Sequence, residues 1–186
     1  MIITITGRPC SGKSATVRYL AEKYDFEIIT VSKIFRDEAE KRNMTVLEFN
    51  DFLFNNPEIK IDEKMDNASR QIGIERANDK LIFDGRLAWH FVPNSFKVFI
   101  DVSDDEMTRR LKDSHRSDEE KNIKAKNNDK NSLISRFNSE NERYKHIYGV
   151  DNCNMNNYDF VIDSTGLSVP EVAEIIYEKY LEFIKK

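Results

Sequence analysis

Apolar and β-branched residues gather in five short runs: Ile2–Thr6, Glu27–Thr30, Leu81–Phe83, Phe96–Val102 and Phe160–Ile162. Side chains follow one another there without the alternation of a half-exposed strand. Such runs predict strands covered on both faces, as in a parallel sheet. Elsewhere the apolar spacing changes to three and four. Val17, Leu20 and Ala21 mark a helix over Lys13–Tyr24, and Val172, Ile175, Ile176, Tyr180 and Phe183 mark another near the end of the chain. Ser168 and Glu171 form a capping box before that last stripe, and Pro170 falls in its first turn, where it is tolerated. Strands alternating with helices predict an α/β fold. Sheets of this kind bind ligands beyond the carboxyl ends of their strands. Chemistry is therefore expected at Gly7 onward, Val31 to Arg36, Asp84 to Arg86, Ser103 onward, and Asp163 to Gly166.

Two stretches depart from simple alternation. Val31 to Lys80 reads as wholly helical, with a Thr45/Glu48 capping box ahead of Phe49, Phe52 and Leu53, a stop at Pro57, and a longer helix bearing Ile61, Met65, Ala68, Ile72 and Ala77. That is more than one crossover helix, so it reads as an inserted helical flap. Ser103 and Glu106 suggest another capping box, opening a helix from Asp104 to about Lys112. Asp113 to Asn131 then carries almost no apolar residue and cannot bury itself against a core. It is expected as a surface loop or as a lid that orders over ligand. Leu133 to Tyr148 is helical again, and Asp151 to Asn157 is a polar loop.

The first run and first helix acquire a meaning from what joins them. Gly7 to Ser14 reads G-R-P-C-S-G-K-S, which fits the phosphate-loop pattern G-x-x-x-x-G-K-[ST] in its strand-before, helix-after context. Gly7 and Gly12 allow the chain to bend close to a ligand. The helix N-terminus presents unpaired N–H groups with partial positive charge to phosphate oxygens. Gly7, Arg8, Pro9, Cys10, Ser11, Gly12, Lys13 and Ser14 are thus the expected ATP site, with Lys13 on the β- and γ-phosphates and Ser14 on Mg²⁺.

Charge limits the partners. The 186 residues fit one domain, and a net charge of −4 gives no basic surplus for nucleic acid or an anionic membrane. Positive charge for a phosphorylated ligand must be placed locally. Two cysteines, Cys10 and Cys153, suggest a reducing compartment, and no apolar run approaches a membrane span, so a cytoplasmic protein is expected. No D-x-x-G directly after the third strand, and no N-K-x-D, HRD or DFG set, points to a GTPase or protein kinase. His90, His115 and His146 lack metal-ligand spacing.

Phosphoryl transfer needs alignment and cations rather than covalent help. Arg36 and Arg86 follow the second and third strands, where guanidinium forks can hold an acceptor phosphate. Asp84, followed by Gly85, is a Walker-B-like carboxylate able to hold Mg²⁺ together with Ser14. Asp101 and Asp163 also end apolar strands, so the position is not unique. Arg136 and Arg143, seven apart on one helix, share a face about 10 Å apart along its axis. They can bracket a transferring phosphoryl group, with Arg109 or Arg110 joining them; alternatively they are surface charges partnered by Glu140 and Glu142.

With these pieces placed, the chain resembles the nucleoside monophosphate kinases, and most of all the short, archaeal-type cytidylate kinases. Beyond the phosphate loop the resemblance rests on Ile34-Phe35-Arg36, Arg42-Asn43-Met44, Glu48-Phe49-Asn50 and Asn56-Pro57-Glu58-Ile59. It continues through Asp84-Gly85-Arg86-Leu87-Ala88-Trp89, Arg136, Arg143-Tyr144-Lys145 and Ile147-Tyr148-Gly149-Val150-Asp151. It implies a P-loop NTPase: a three-layer α/β/α sandwich on a five-stranded parallel sheet. It also implies a flap for the acceptor nucleotide (31–80) and a lid (112–135) in a single monomeric domain whose core is 1–30, 81–112 and 136–186. It puts Arg36, Asp84, Gly85 and Arg86 at the acceptor, and Lys13, Arg110, Arg136 and Arg143 around the donor and transferring phosphates. The implied reaction moves the ATP γ-phosphoryl group to CMP or dCMP, with Mg²⁺. AMP or UMP as acceptor, and a non-catalytic nucleotide-binding regulator, are the alternatives. Asp62, Asp66 and Arg70 are candidates for the base-reading face, or equally for helix-surface charge. Cys10 and Arg8 stand where the family has small or apolar residues, and Ser32-Lys33 where it tends to have Gly-Asp.

Overall fold

The computed structural model describes residues 1–30, 36, 38–45, 48–49, 52, 55–56, 59, 61–113 and 130–185. Its elements, in chain order, are β1 (Ile2–Gly7), α1 (Lys13–Tyr24), β2 (Glu27–Thr30), α2 (Ile61–Glu75), β3 (Leu81–Asp84), α3 (Ala88–Phe91) and β4 (Phe96–Asp101). They continue with α4 (Asp104–Asp113), α5 (Lys130–Tyr148), a 3₁₀ turn (Met155–Asn157), β5 (Phe160–Asp163) and α6 (Val169–Phe183). All five expected strands form one sheet in the order β2-β3-β1-β4-β5, and every neighbouring pair is parallel.

Burial on both faces explains the unbroken apolar runs. Ile3, Ile5, Ile82, Val98 and Ile100 pack on one side against Val17 and Leu20 of α1 and Val172, Ala173 and Ile176 of α6. On the other side Phe99 meets Leu87, Trp89, Phe91, Phe137 and Tyr158, while Ile2, Leu81 and Phe83 meet Ala88 and Val92. The result is three layers, helix–sheet–helix. Each large aliphatic or aromatic side chain buried there contributes about 1.5–3 kcal/mol. After β1 the chain crosses to the far edge at β2, returns to β3 beside β1, and then passes to β4 on β1's other side. The strand order therefore switches direction around β1, and the crevice beyond its carboxyl end is where such sheets take ligands.

Capping largely follows the sequence. Ser168 and Glu171 form a complete box, and Thr45 and Glu48 exchange both of its hydrogen bonds. The Ser103 box is only half made. Ser103 Oγ accepts from the Glu106 amide at 3.3 Å, but the Glu106 carboxylate turns to Arg109 and Arg110, which hold it down to about 2. Helix α3 is a single turn that the spacing does not announce. Positions 130–135, expected in the lid, form the first turns of α5. Positions 31–35 of the flap, Pro57, and positions 114–129 of the lid lie outside the described residues.

Candidate active site

The loop between β1 and α1 is shaped by close contacts. A Cβ on Gly7 would stand 2.5 Å from the Ile100 carbonyl oxygen and 2.9 Å from Ser11 Oγ, so only glycine fits there. Cys10 and Gly12 both take left-handed backbone, at φ 59° and 86°. For glycine this is cheap; for Cys10 it costs roughly 1 kcal/mol. Gly12 caps α1 without a side-chain hydrogen bond, and the first turn holds no acidic residue. The first-turn amides thus keep their affinity for an anion. Ser11 is 2% exposed and its hydroxyl has no hydrogen-bond partner among the described residues, an orphaned polar atom inside the loop.

Not every loop group points at a ligand. Arg8 gives its amide to the Ile100 carbonyl at 3.1 Å and its guanidinium to the Val102 carbonyl and the Asp104 carboxylate, at 3.0 and 2.7 Å. These bonds fasten the loop to the end of β4.

Parallel pairing sets Ile5 of β1 beside Asp84 of β3. That register brings Asp84 to the start of α1, where its carboxylate pairs with the Lys13 ammonium and lies 3.4 Å from Ser14 Oγ. Asp101 and Asp163 do something else: they accept the amides of Val102 and Thr165 as local turn caps. Burial, and secondarily the nearby Arg86 charge, push Lys13 down to about 8.

Arg86 is placed by a side chain of the neighbouring strand β1. Thr6 Oγ1 donates toward the carbonyls of Gly85 and Arg86, at 3.0 and 3.1 Å, so the buried strand β1 pins the turn after β3. The Arg86 guanidinium sits 5.8 Å from the Phe137 ring centroid and forms an ion pair with Glu140 of α5.

Arg110 is held from several sides. Its guanidinium donates to the Ser164 carbonyl at 2.6 Å, to Ser164 Oγ at 3.1 Å and to the Cys10 carbonyl at 3.3 Å, and its Nε to Glu106 at 2.8 Å. The structure thus places it as a brace between the phosphate loop and the segment after β5. Ser164 completes that junction: its hydroxyl lies 3.0 Å from the Ser11 carbonyl and 2.8 Å from that of Asp101.

The other expected arginines lie on helical segments beyond the loop. Arg36 is exposed on a helical residue, and no hydrogen bond or ion pair among the described residues links it to the loop. Arg143 is exposed, its guanidinium 5.4 Å from the Tyr144 ring centroid. Arg136 lies on α5 with its side chain outside the described residues, as does that of Asp62. Asp66 accepts the hydroxyl of Tyr148, linking α2 to α5, and Arg70 lies 5.5 Å over the Phe91 ring. No cluster of His, Cys, Asp and Glu suited to a metal occurs among the described residues.

A buried polar network docks α5 on the core. Trp89 Nε1 donates to Asn152 Oδ1 at 2.8 Å, and the Tyr158 hydroxyl lies 2.8 Å from the Asn152 carbonyl. The Asn152 amide donates to Asn141 Oδ1 at 2.7 Å, and Asn141 Nδ2 donates to Asp151 at 2.9 Å. The Asn141 amide, ahead of the Cys153 N–H and Lys145, holds the Asp151 carboxyl below the usual carboxylate range. Leu87-Ala88-Trp89 and Tyr144-Lys145 through Asp151, set apart in the sequence, meet through this network. Thr6, Glu140, Asn141, Asn152 and Ser164 are the site residues that sequence reasoning missed; only Ser164 carried a signal, its place just past a strand.

This sheet, loop and carboxylate define a P-loop kinase. A family model described as an AAA domain matches residues 3–148. The cytidylate kinase of Methanococcus maripaludis (strain C7) is 35% identical over 188 residues, covering 100% of this chain and 99% of that protein. That of Methanosphaera stadtmanae is 31% identical, with 95% of each chain covered. The chain belongs to the AAA-domain family and to the cytidylate kinases. It is also 34% identical, over 96% of its length, to the S-adenosylmethionine-dependent nucleotide dehydratase of Lacinutrix mariniflava, of which it spans only 35%. In fold it is similar to an uncharacterized protein from Eubacterium ventriosum (TM-score 0.68, 17% identity, 97% and 98% covered) and to shikimate kinase from Bacteroides thetaiotaomicron (TM-score 0.60, 14% identity, 100% and 99% covered). No helix among the described residues is long and apolar enough to cross a membrane.

Proposed function

We propose that the protein transfers the γ-phosphoryl group of ATP to CMP or dCMP, giving ADP and CDP or dCDP. The observation that carries this reading is the adjacency of two cationic stations at the carboxyl edge of the sheet. Lys13 stands at the open start of α1, and Arg86 follows the next strand, close enough to depress the Lys13 ammonium. One station suits the polyphosphate of a donor, the other the monophosphate of an acceptor. Full-length kinship with cytidylate kinases supports cytosine as the base.

In this reading the first-turn amides and Lys13 hold the donor's β- and γ-phosphates, and Arg86 holds the acceptor phosphate in line with them. An acceptor phosphate is largely ionised at neutral pH, so one of its oxygens attacks the γ-phosphorus without a general base. The bond to the β–γ bridging oxygen breaks, and charge gathering on the equatorial oxygens is met by Lys13 and guanidinium groups. Arg36, Arg136 and Arg143 join when the flap (31–80) and lid (112–135) close, and closure excludes water that would hydrolyse ATP. The hydroxyl of Ser14 and the carboxylate of Asp84 are hard oxygen donors near one another, a set that fits Mg²⁺ completed by water and phosphate oxygens. Bound there, the ion would neutralise phosphate charge. Arg8 and Arg110 support the loop, and Gly85 supplies the turn that presents Arg86.

A coupled assay with ATP and each of CMP, dCMP, UMP and AMP tests the proposal. Turnover should be fastest with a cytidine nucleotide. Preference for AMP or UMP would reassign the acceptor, and no turnover despite ATP binding would leave a nucleotide-binding regulator.

A further inference from the structure

Arg86 is not waiting empty-handed. Its Nη1 and Glu140 Oε2, the atoms that meet, are shut off from water, although the two side chains remain 32% and 21% exposed. We propose that Glu140 is a resident competitor for the acceptor phosphate: its carboxylate holds the Arg86 fork in the empty enzyme and yields it when a phosphate arrives. The inference rests on Arg86 being the acceptor station.

Three features argue for it. A carboxylate and a phosphate present the same acceptor geometry to a guanidinium, so they compete for one fork. The rest of the Arg86 environment is fixed: Thr6 pins its backbone and the Phe137 ring lies against its guanidinium, so the group that moves is Glu140. Glu140 also has somewhere to go. It precedes Arg143 by three positions on α5, the spacing at which opposite charges pair along a helix. A carboxylate released from Arg86 can thus swing to Arg143 as the phosphate enters, before closure brings Arg143 to the transferring group. With Glu140 in place, an acceptor must outbid a carboxylate, which favours doubly charged phosphate over weaker anions and sets the acceptor KM.

Calorimetric titration with inorganic phosphate, the donor site filled with ADP, reads this without needing turnover. Glu140→Gln should tighten phosphate binding by about three- to tenfold, the scale of one partly exposed charge pair. In steady-state assays it should lower the CMP KM by a similar factor and leave the ATP KM in place. In an Arg86→Met background the Gln substitution should change nothing. Glu140→Asp, which keeps the charge on a shorter arm, should fall between wild type and Gln and serves if the Gln variant folds poorly. Unchanged or weaker phosphate binding in a folded Glu140→Gln or Glu140→Asp protein overturns the proposal, even if CMP is turned over normally. Tighter phosphate binding with no CMP turnover would instead keep the competitor and remove the cytidylate reading.

Discussion

The Asp84 carboxylate reaches across from β3 to within 3.4 Å of the Ser14 hydroxyl, at the first turn of the helix that follows β1. Neither residue is placed by its own neighbourhood; strand register does it. Asp84→Asn keeps the shape and removes the charge. It should lower kcat by on the order of a hundredfold and shift the Mg²⁺ dependence of the rate to higher concentration. Rates measured across a Mg²⁺ titration check this; an unchanged Mg²⁺ midpoint would take Asp84 out of the metal site.

Lys13 gives a prediction in protons. Its folded-state pKa, about 8, lies below the ordinary 10.5. Between those values the folded protein has lost a proton that the unfolded chain keeps, so this group makes stability rise with pH across that window and contributes no such slope below it. Bound phosphate favours the charged form. ATP binding near pH 8.5 should therefore take up to about one proton, read by calorimetry in buffers of different ionisation enthalpy. Lys13→Met should abolish the uptake together with turnover.

Asn152 is 1% exposed and serves Trp89, Tyr158 and Asn141 at once. Asn152→Ala strands the Trp89 indole N–H in the interior, while the backbone bonds of residue 152 to Asn141 and Tyr158 remain. A loss of roughly 1–3 kcal/mol is expected, measurable by urea unfolding. Because the network seats α5, activity should fall further than the folded fraction explains.

Gly7→Ala drives a methyl group into the Ile100 carbonyl oxygen, 2.5 Å from the new carbon. Backbone must shift in the loop proposed to cradle the donor phosphate. The expected cost is about 1–3 kcal/mol of stability, with a weakened ATP affinity seen by equilibrium titration.

The strands were legible because a doubly covered strand writes its burial as an unbroken apolar run, as in Leu81-Ile82-Phe83. The phosphate loop was legible because its glycines and lysine sit at fixed spacing between a strand and a helix. Other relationships leave no such trace. Glu140 reads as a helix-surface charge, since its pairing with Arg86 joins α5 to the turn after β3 and obeys no local period. Thr6 reads as an ordinary β-branched strand residue; its hydroxyl bonds to Gly85 and Arg86 depend on β1 lying beside β3. Asn152 sits in a stretch that looks like a solvent-facing loop, yet it is buried because Trp89 and Tyr158 close over it. The single turn at Ala88–Phe91 is too short to show a helical period.

Thr6 carries a consequence for altering this enzyme. The arm proposed to grip the incoming monophosphate inherits its rigidity from the central strand, whereas the base is expected to be read by the insert after β2. Alignment of the two substrates and choice of nucleobase thus belong to separable parts of the molecule. Replacing the insert should retune selectivity without rebuilding the machinery that brings the reacting atoms together.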